Sequence, residues 1–195
     1  MTHVNILIYN HKKPQPSRSE WRTIVKNMIE SVTRSPVKLL FDSLGKPHLD
    51  NPKISISYSH TKNTLALALV QDDVRIGLDI ERASRMSEIQ QIQKFAFSRE
   101  EQYTTAADLV SNWCLKEAAV KMSGQGFYDY DPVEVAIFTE NSSFSAKAQN
   151  HEITRGYFKV IKGGSLTMAI CSDQKFSVCI NYWQGPITEG AKDDA

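Results

Sequence analysis

From Ile76 to Glu81 the chain reads Ile-Gly-Leu-Asp-Ile-Glu, with an apolar residue at every second position. That period belongs to an extended strand, whose side chains alternate between two faces. Ile76, Leu78 and Ile80 then form a buried face, and Asp79 and Glu81 project together from the other. A pair of acids at a strand end is ordinarily solvated. Here the apolar face commits both to the same side. A second segment, Trp113-Cys114-Leu115-Lys116-Glu117-Ala118-Ala119-Val120-Lys121, reads as helix, with Glu117 and Lys121 four apart on one face and Trp113 a turn behind. Alone, such a pair adds about 0.3 kcal/mol to a helix, and Trp113 reads as core. If strand end and helix face meet, three carboxylates converge beside a lysine. That set suits a hard divalent cation bound to a phosphate substrate.

The remaining chain sets these segments in an α+β fold. Val4 to Tyr9 reads as a strand closed by the turn residues Asn10-His11-Lys12-Lys13-Pro14. Ser19 is positioned to cap a helix from Glu20 to Thr33, with Trp21, Ile24, Val25, Met28, Ile29 and Val32 on its apolar face. Gly45-Lys46-Pro47 punctuates a loop. Ile54 to Tyr58 and Thr64 to Val70 read as strands leading through Gln71-Asp72-Asp73 into the Ile76 strand, an antiparallel meander with His60 just past a strand end. Ser87 to Phe97 is amphipathic, with Ile89, Ile92 and either Phe95 or Ala96 inward, and Ser98 with Glu101 has capping-box spacing for a following helix. Asp108 to Met122 is the clearest helix, stopped at Ser123-Gly124. Strands are expected at Val133 to Phe138, Phe158 to Val160, Leu166 to Cys171 and Phe176 to Trp183, with 141–151 a polar loop and 189–195 a frayed tail.

A chain of 195 residues supports one domain or two closely packed lobes. Apolar and charged fractions of 41% and 23% exclude a disordered chain. A net charge of +1 offers no general attraction to nucleic acid, so any anion must be held by a local site. Cys114, Cys171 and Cys179 lack metal-ligand spacing and are expected as reduced, buried thiols. Ile6-Leu7-Ile8-Tyr9 is too short for a secretory leader and nothing approaches a membrane span, which points to the cytoplasm and to no membrane partner.

Read in order, Gly45-Lys46-Pro47, Ser59-His60, Gly77-Leu78-Asp79-Ile80-Glu81, Phe97-Ser98-Arg99-Glu100-Glu101 and the Trp113 to Lys121 segment resemble the 4′-phosphopantetheinyl transferase superfamily, whose pattern is GKP, SH, GxDxE, FSxxE and WxxKEAxxK. Singly, Lys46 is an ordinary loop cation and His60 ordinary strand-end decoration; Gly45 and Pro47 would fix the backbone and aim the lysine. The resemblance runs from Gly45 to Lys121 and departs at Ser57, often Asn in the family, and at Ile56, often Phe. The length is similar to the larger, pseudo-dimeric type. That implies a monomer of two similar α+β lobes, each an antiparallel sheet packed with helices, over residues 1–73 and 74–188, with 189–195 as tail.

The resemblance implies transfer of the phosphopantetheine arm of coenzyme A to a serine of an apo acyl or peptidyl carrier protein, releasing 3′,5′-ADP. It implies Mg²⁺ on Asp79, Glu81 and Glu117, with Glu117 as base, Lys121 on the transferring phosphoryl group, and His60 and Lys46 on the diphosphate and 3′-phosphate, supported by Ser59. Arg22, or Arg18, resembles the family's 3′-phosphate contact. Trp113 is expected to pack the helix on the strand, and Glu101 to serve structure. Carrier choice is expected near Phe127-Tyr128-Asp129-Tyr130 or between the lobes. The alternatives are a non-catalytic carrier-binding module and a metal-dependent phosphodiesterase.

Overall fold

In the segment Thr64–Val70, leucines at 65, 67 and 69 alternate with Ala66, Ala68 and Val70, and every one is buried. A strand of that composition has both faces covered, the leucine face by something distant and the small-residue face by something close. The computed structural model, which describes residues 1–12, 15–98, 101, 106–125, 127, 130–149 and 151–185, bears this out. Its strands are β1 (Thr2–Asn10), β2 (Leu39–Phe41), β3 (Pro47–Leu49), β4 (Ser55–Thr61), β5 (Thr64–Val70), β6 (Ile76–Arg82), β7 (Val135–Glu140), β8 (Ser143–Ala148), β9 (His151–Gly163), β10 (Leu166–Ser172) and β11 (Phe176–Tyr182). Its helices are α1 (Arg18–Thr33), α2 (Met86–Ala96) and α3 (Ala106–Ser123).

Two sheets, ordered β11-β1-β5-β4 and β6-β10-β9-β8-β7, pack face to face, with β2 and β3 as a separate hairpin. The β5 leucines meet Trp21, Val25, Met28 and Ile29 of α1. The small β5 residues meet Ile76, Leu78 and Ile80 of β6, with Met168 and Ile170 of β10 behind them. On the far side of the second sheet α3 buries Cys114, Ala118 and Met122 against Phe144, Ala146, Ala169 and Cys171. The order of layers is helix, sheet, sheet, helix. The fold is α+β, and its ladders are antiparallel except for β1 with β11.

Several expectations need correction. β4 and β5 form the expected hairpin, but β6 leaves it for the second sheet and pairs with β10. β11 returns from the C-terminal half to lie parallel to β1, so the first sheet is completed by residues beyond a 73/74 boundary. The expected loop at 141–151 contains β8: Phe144, Ala146 and Ala148 are buried while serines and Lys147 point outward, an alternation hidden by small side chains. The α1 cap is Ser17, not Ser19, because Glu20 stands three residues after Ser17 and completes a capping box. His60 lies inside β4 rather than past it. Cys179 is exposed on β11, whereas Cys114 and Cys171 are buried, and all three are free thiols. In α2, Ala96 turns inward and Phe95 is 61% exposed. Ile89 and Ile92, the helix expected after Ser98, the Tyr128-Asp129 pair and the 189–195 tail fall outside the described residues or side chains.

Candidate functional site

The second sheet and α3 approach closely because β6 carries a glycine at the crossing. A Cβ on Gly77 would sit 1.9 Å from the Ala118 carbonyl oxygen and 2.7 Å from the Met122 nitrogen. With that contact made, the β6 face bearing Asp79 and Glu81 lies under the α3 face bearing Glu117. The carboxylates of Asp79, Glu81 and Glu117 each offer an oxygen, all within 4.8 Å of one another. Asp79 and Glu81 are buried, at 2% and 3% exposure, and Glu117 is half-buried. Lys121, one helical turn past Glu117, reaches across to Asp79 Oδ1 at 2.6 Å and lies 3.3 Å from Glu117 Oε2.

The first sheet closes the site from the other side. Ser59 Oγ of β4 donates to Asp79 Oδ1 at 2.7 Å and accepts from Lys121 Nζ at 3.3 Å. Ser57 Oγ accepts the Leu78 backbone N–H at 2.9 Å. Thus the serine at a departure from the family pattern supplies the hydrogen bond that the β6 edge lacks from any strand on that side. His60 stacks on Trp21, with centroids 5.3 Å apart and planes at 21°. Burial, then the charge on Lys121, depresses the His60 pKa against the pull of Asp79.

Lys46 comes from the turn of the β2–β3 hairpin. Asp42 Oδ1 accepts the backbone N–H groups of Leu44 at 3.0 Å and Lys46 at 2.8 Å, and Gly45 takes φ +83°, so the side chain leaves a fixed backbone. Its ammonium is partly desolvated, which lowers its pKa, and Asp42 only partly offsets this. A cleft of about 340 Å³ runs between the hairpin and α3, lined by Lys46, Ile56, Tyr58, Glu117, Lys121 and Gln125 among others. Arg22 lies 4.0 Å over the Phe41 ring. Burial raises the Tyr58 phenol's pKa, and Arg22 and Arg18 of α1 pull it back, so both guanidiniums stand near the Tyr58 end of the cleft.

The arrangement has an electrostatic problem that a cation would solve. Burial raises the Glu117 pKa to about 7, the negative charge of Asp79 adds to this, and Lys121 opposes it. Burial also works against the charge on Lys121, but Asp79 and Glu117 outweigh it and hold the ammonium above its usual range. Asp79 Oδ2 is buried with no hydrogen-bond partner among the described residues. Three hard oxygen donors, one of them orphaned, fit Mg²⁺ better than a softer metal. In ion-free protein Glu117 therefore holds a proton that the unfolded chain gives up nearer pH 4.5. Its contribution to stability falls as pH rises from there through about 7. A divalent cation held by the three carboxylates would displace that proton, so added Mg²⁺ is expected to stabilise more across the same window. Thermal melts at pH 5 and 8, with chelator or Mg²⁺, check this when wild type is compared with Glu117→Gln, which should lack the trend.

A residue that sequence reasoning left without a role is Lys116, the fully buried lysine beside Glu117. Its Nζ lies 2.5 Å from Glu101 Oε2 and donates to the carbonyls of Ala96 at 2.9 Å and Pro132 at 3.2 Å. Glu101 accepts the Ser98 N–H at 2.7 Å, as the capping-box spacing foretold, and also the Ile137 N–H at 3.2 Å. The pair ties α3 to α2, to the Pro132–Glu134 turn and to β7, with Phe97 under the ammonium. The available signal was a lysine on the buried stripe shared by Trp113 and Val120. Lys116→Ala strands a buried carboxylate and should cost about 3–5 kcal/mol, measurable by urea unfolding. Trp113, expected to pack helix on strand, lies in the core cluster between α3 and the second sheet, where it also stacks on Phe127 at 5.9 Å and meets Phe97 edge-on at 6.1 Å.

Residues 75–171 match the family described as the 4′-phosphopantetheinyl transferase superfamily, and the chain belongs to that superfamily through this segment, which spans β6 to β10 and holds all three carboxylates. Comparison with curated proteins gives no significant match. The family is one of transferases that move phosphopantetheine. Among the described residues, no helix is long and apolar enough to cross a membrane.

Proposed function

We propose that this chain transfers the 4′-phosphopantetheine arm of coenzyme A to a serine hydroxyl of an apo acyl or peptidyl carrier protein, converting it to the holo form and releasing 3′,5′-ADP. The observation that carries the reading is the convergence of Asp79, Glu81 and Glu117 within 4.8 Å, beside Lys121 and at the end of the cleft between the β2–β3 hairpin, β4 and α3. Asp79, Glu81 and Glu117 hold Mg²⁺, which supplies charge neutralisation on the coenzyme's diphosphate. Glu117, less buried than the other two acids, is the base that takes the serine proton, its carboxylate kept charged there by the cation it shares with Asp79 and Glu81. Lys121 faces the same phosphoryl group and balances charge as the bridging oxygen departs. His60 binds the phosphates from the first sheet and Lys46 from the β2–β3 hairpin, Arg22 or Arg18 the 3′-phosphate, and Ser59 holds Asp79 and Lys121 in register.

The two sheets, each with a helix on its outer face, support a single chain of two similar lobes acting as a monomer. Free thiols suit a reducing cytoplasm. The test is a mass assay with apo carriers, coenzyme A and Mg²⁺. A transferase raises the carrier mass by one phosphopantetheine arm. An unchanged mass with stable complex formation would make the chain a carrier-binding module, and loss of mass from holo carrier would make it a phosphodiesterase.

A further inference from the structure

The two halves of the site stand on different sheets. Asp79 and Glu81 belong to β6 and Glu117 to α3, whereas Ser59 and His60 belong to β4 in the first sheet. β4 and β6 lie side by side without a backbone ladder, so side chains set how the first sheet registers on the second. Ser57 and Ser59 make two such fastenings at the cleft. A third lies at the end of β6, away from it. Arg82 Nη2 donates to Asn63 Oδ1 at 2.7 Å and to Thr64 Oγ1 at 2.8 Å.

Those two acceptors are themselves tied to β1. Thr64 Oγ1 donates to Asn10 Oδ1 at 2.8 Å, Asn63 Nδ2 donates to the His11 carbonyl at 3.3 Å, and the His11 N–H donates to the Asn63 carbonyl at 2.7 Å. One guanidinium thereby gathers the end of β6, the Lys62-Asn63 turn between β4 and β5, and the end of β1. From His11 the contacts continue to the site: its ring meets Trp21 edge-on at 5.7 Å, and Trp21 stacks on His60. Alternation along β6 turns Ile80 and Arg82 toward the first sheet and Asp79 and Glu81 toward α3, so Arg82 does not line the cleft. Its Nε is buried without a partner among the described residues, a cost that a freely placed surface arginine avoids by turning to water.

We infer that Arg82 is a positioning residue: it fixes the sheet that carries His60 against the sheet that carries the carboxylates, and so sets affinity for the phosphate-bearing end of the nucleotide co-substrate. The inference rests on the transferase reading above. Binding that depends on phosphate contacts from both sheets is sensitive to their register, whereas all three carboxylates for the ion stand on β6 and α3, with the Ser59 bond to Asp79 left intact when Arg82 is changed.

The test is calorimetry of Mg²⁺ alone, and of 3′,5′-ADP with Mg²⁺, on wild type, Arg82→Met, Asn63→Ala and the double variant, alongside steady-state kinetics. Methionine keeps an unbranched apolar stem and removes the guanidinium bonds. Mg²⁺ affinity should be unchanged, while the Kd for 3′,5′-ADP and the KM for coenzyme A rise about tenfold with kcat little altered. The double variant should be no worse than Arg82→Met, since both changes break one link. Should Arg82→Met fail to fold, Asn63→Ala and Thr64→Val carry the same comparison from the acceptor side. Nucleotide affinity at the wild-type level in the variants would overturn the inference, as would a parallel loss of Mg²⁺ and nucleotide binding. A wild-type protein that binds Mg²⁺ but neither 3′,5′-ADP nor coenzyme A would overturn the transferase reading itself, and this inference with it.

Discussion

Glu117→Ala is expected to abolish transfer while leaving the fold intact, with kcat falling by about 10³-fold or more, because one change removes a base worth about 10²–10⁴ and a metal ligand. The carboxylate is held in an environment that opposes its charge, and burial is the first cause. Deleting it relieves that conflict, so the variant's melting temperature in chelator should match or exceed wild type at pH 8. Such a trade of stability for chemistry is common where a site gathers like charges. The apo-to-holo mass assay reads the first half of the expectation and calorimetric unfolding the second. Turnover at the wild-type rate would remove Glu117 from the base role, and a collapse of the fold would make it structural.

Gly77→Ala is expected to have the largest effect on stability. Its new methyl group would meet backbone, the Ala118 carbonyl and the Met122 nitrogen, and no rotamer change relieves a backbone clash. β6 and α3 would have to separate, at a cost of about 3 kcal/mol, the top of the usual range for overpacking. That corresponds to a fall in Tm of about 10 °C for a chain of this size. Separation would also pull Glu117 from Asp79 and Glu81, so the folded fraction should bind Mg²⁺ more weakly. Gly163→Ala is the control, since nothing lies within 4 Å of a Cβ there, and its Tm should be that of wild type.

The strand at 76–81 and the helix around 113–121 were legible because their periods, two and nearly four, are properties of backbone geometry that survive any tertiary context. Their meeting was not. Nothing in alternation says which helix lies on which strand, and the ordered motifs carried that step. β8 stayed hidden because its inward residues include two alanines, which weigh little in a hydrophobic pattern but suffice under a close-packed helix. The β1–β11 pairing was invisible for a different reason: its partners are separated by most of the chain, and a parallel pair leaves no turn signature. Glu101 makes the bond to the Ser98 N–H that its spacing suggested, but its bond to Lys116 needs the helix orientation that only the fold supplies.

The parallel seam between Thr2–Asn10 and Phe176–Tyr182 also bears on biosynthesis. A nascent chain that has threaded only its first lobe out of the ribosome carries β1 with one bare edge, because the strand that will cover it is among the last described to be made. Synthesis at about 5–20 residues per second leaves that edge open for many seconds. Such an interval invites pairing with other nascent chains and gives a holdase chaperone something to shield. Halting translation just short of residue 176 should therefore leave a species more prone to clumping than either the finished protein or a stalled chain too short to have closed the β4–β5 hairpin.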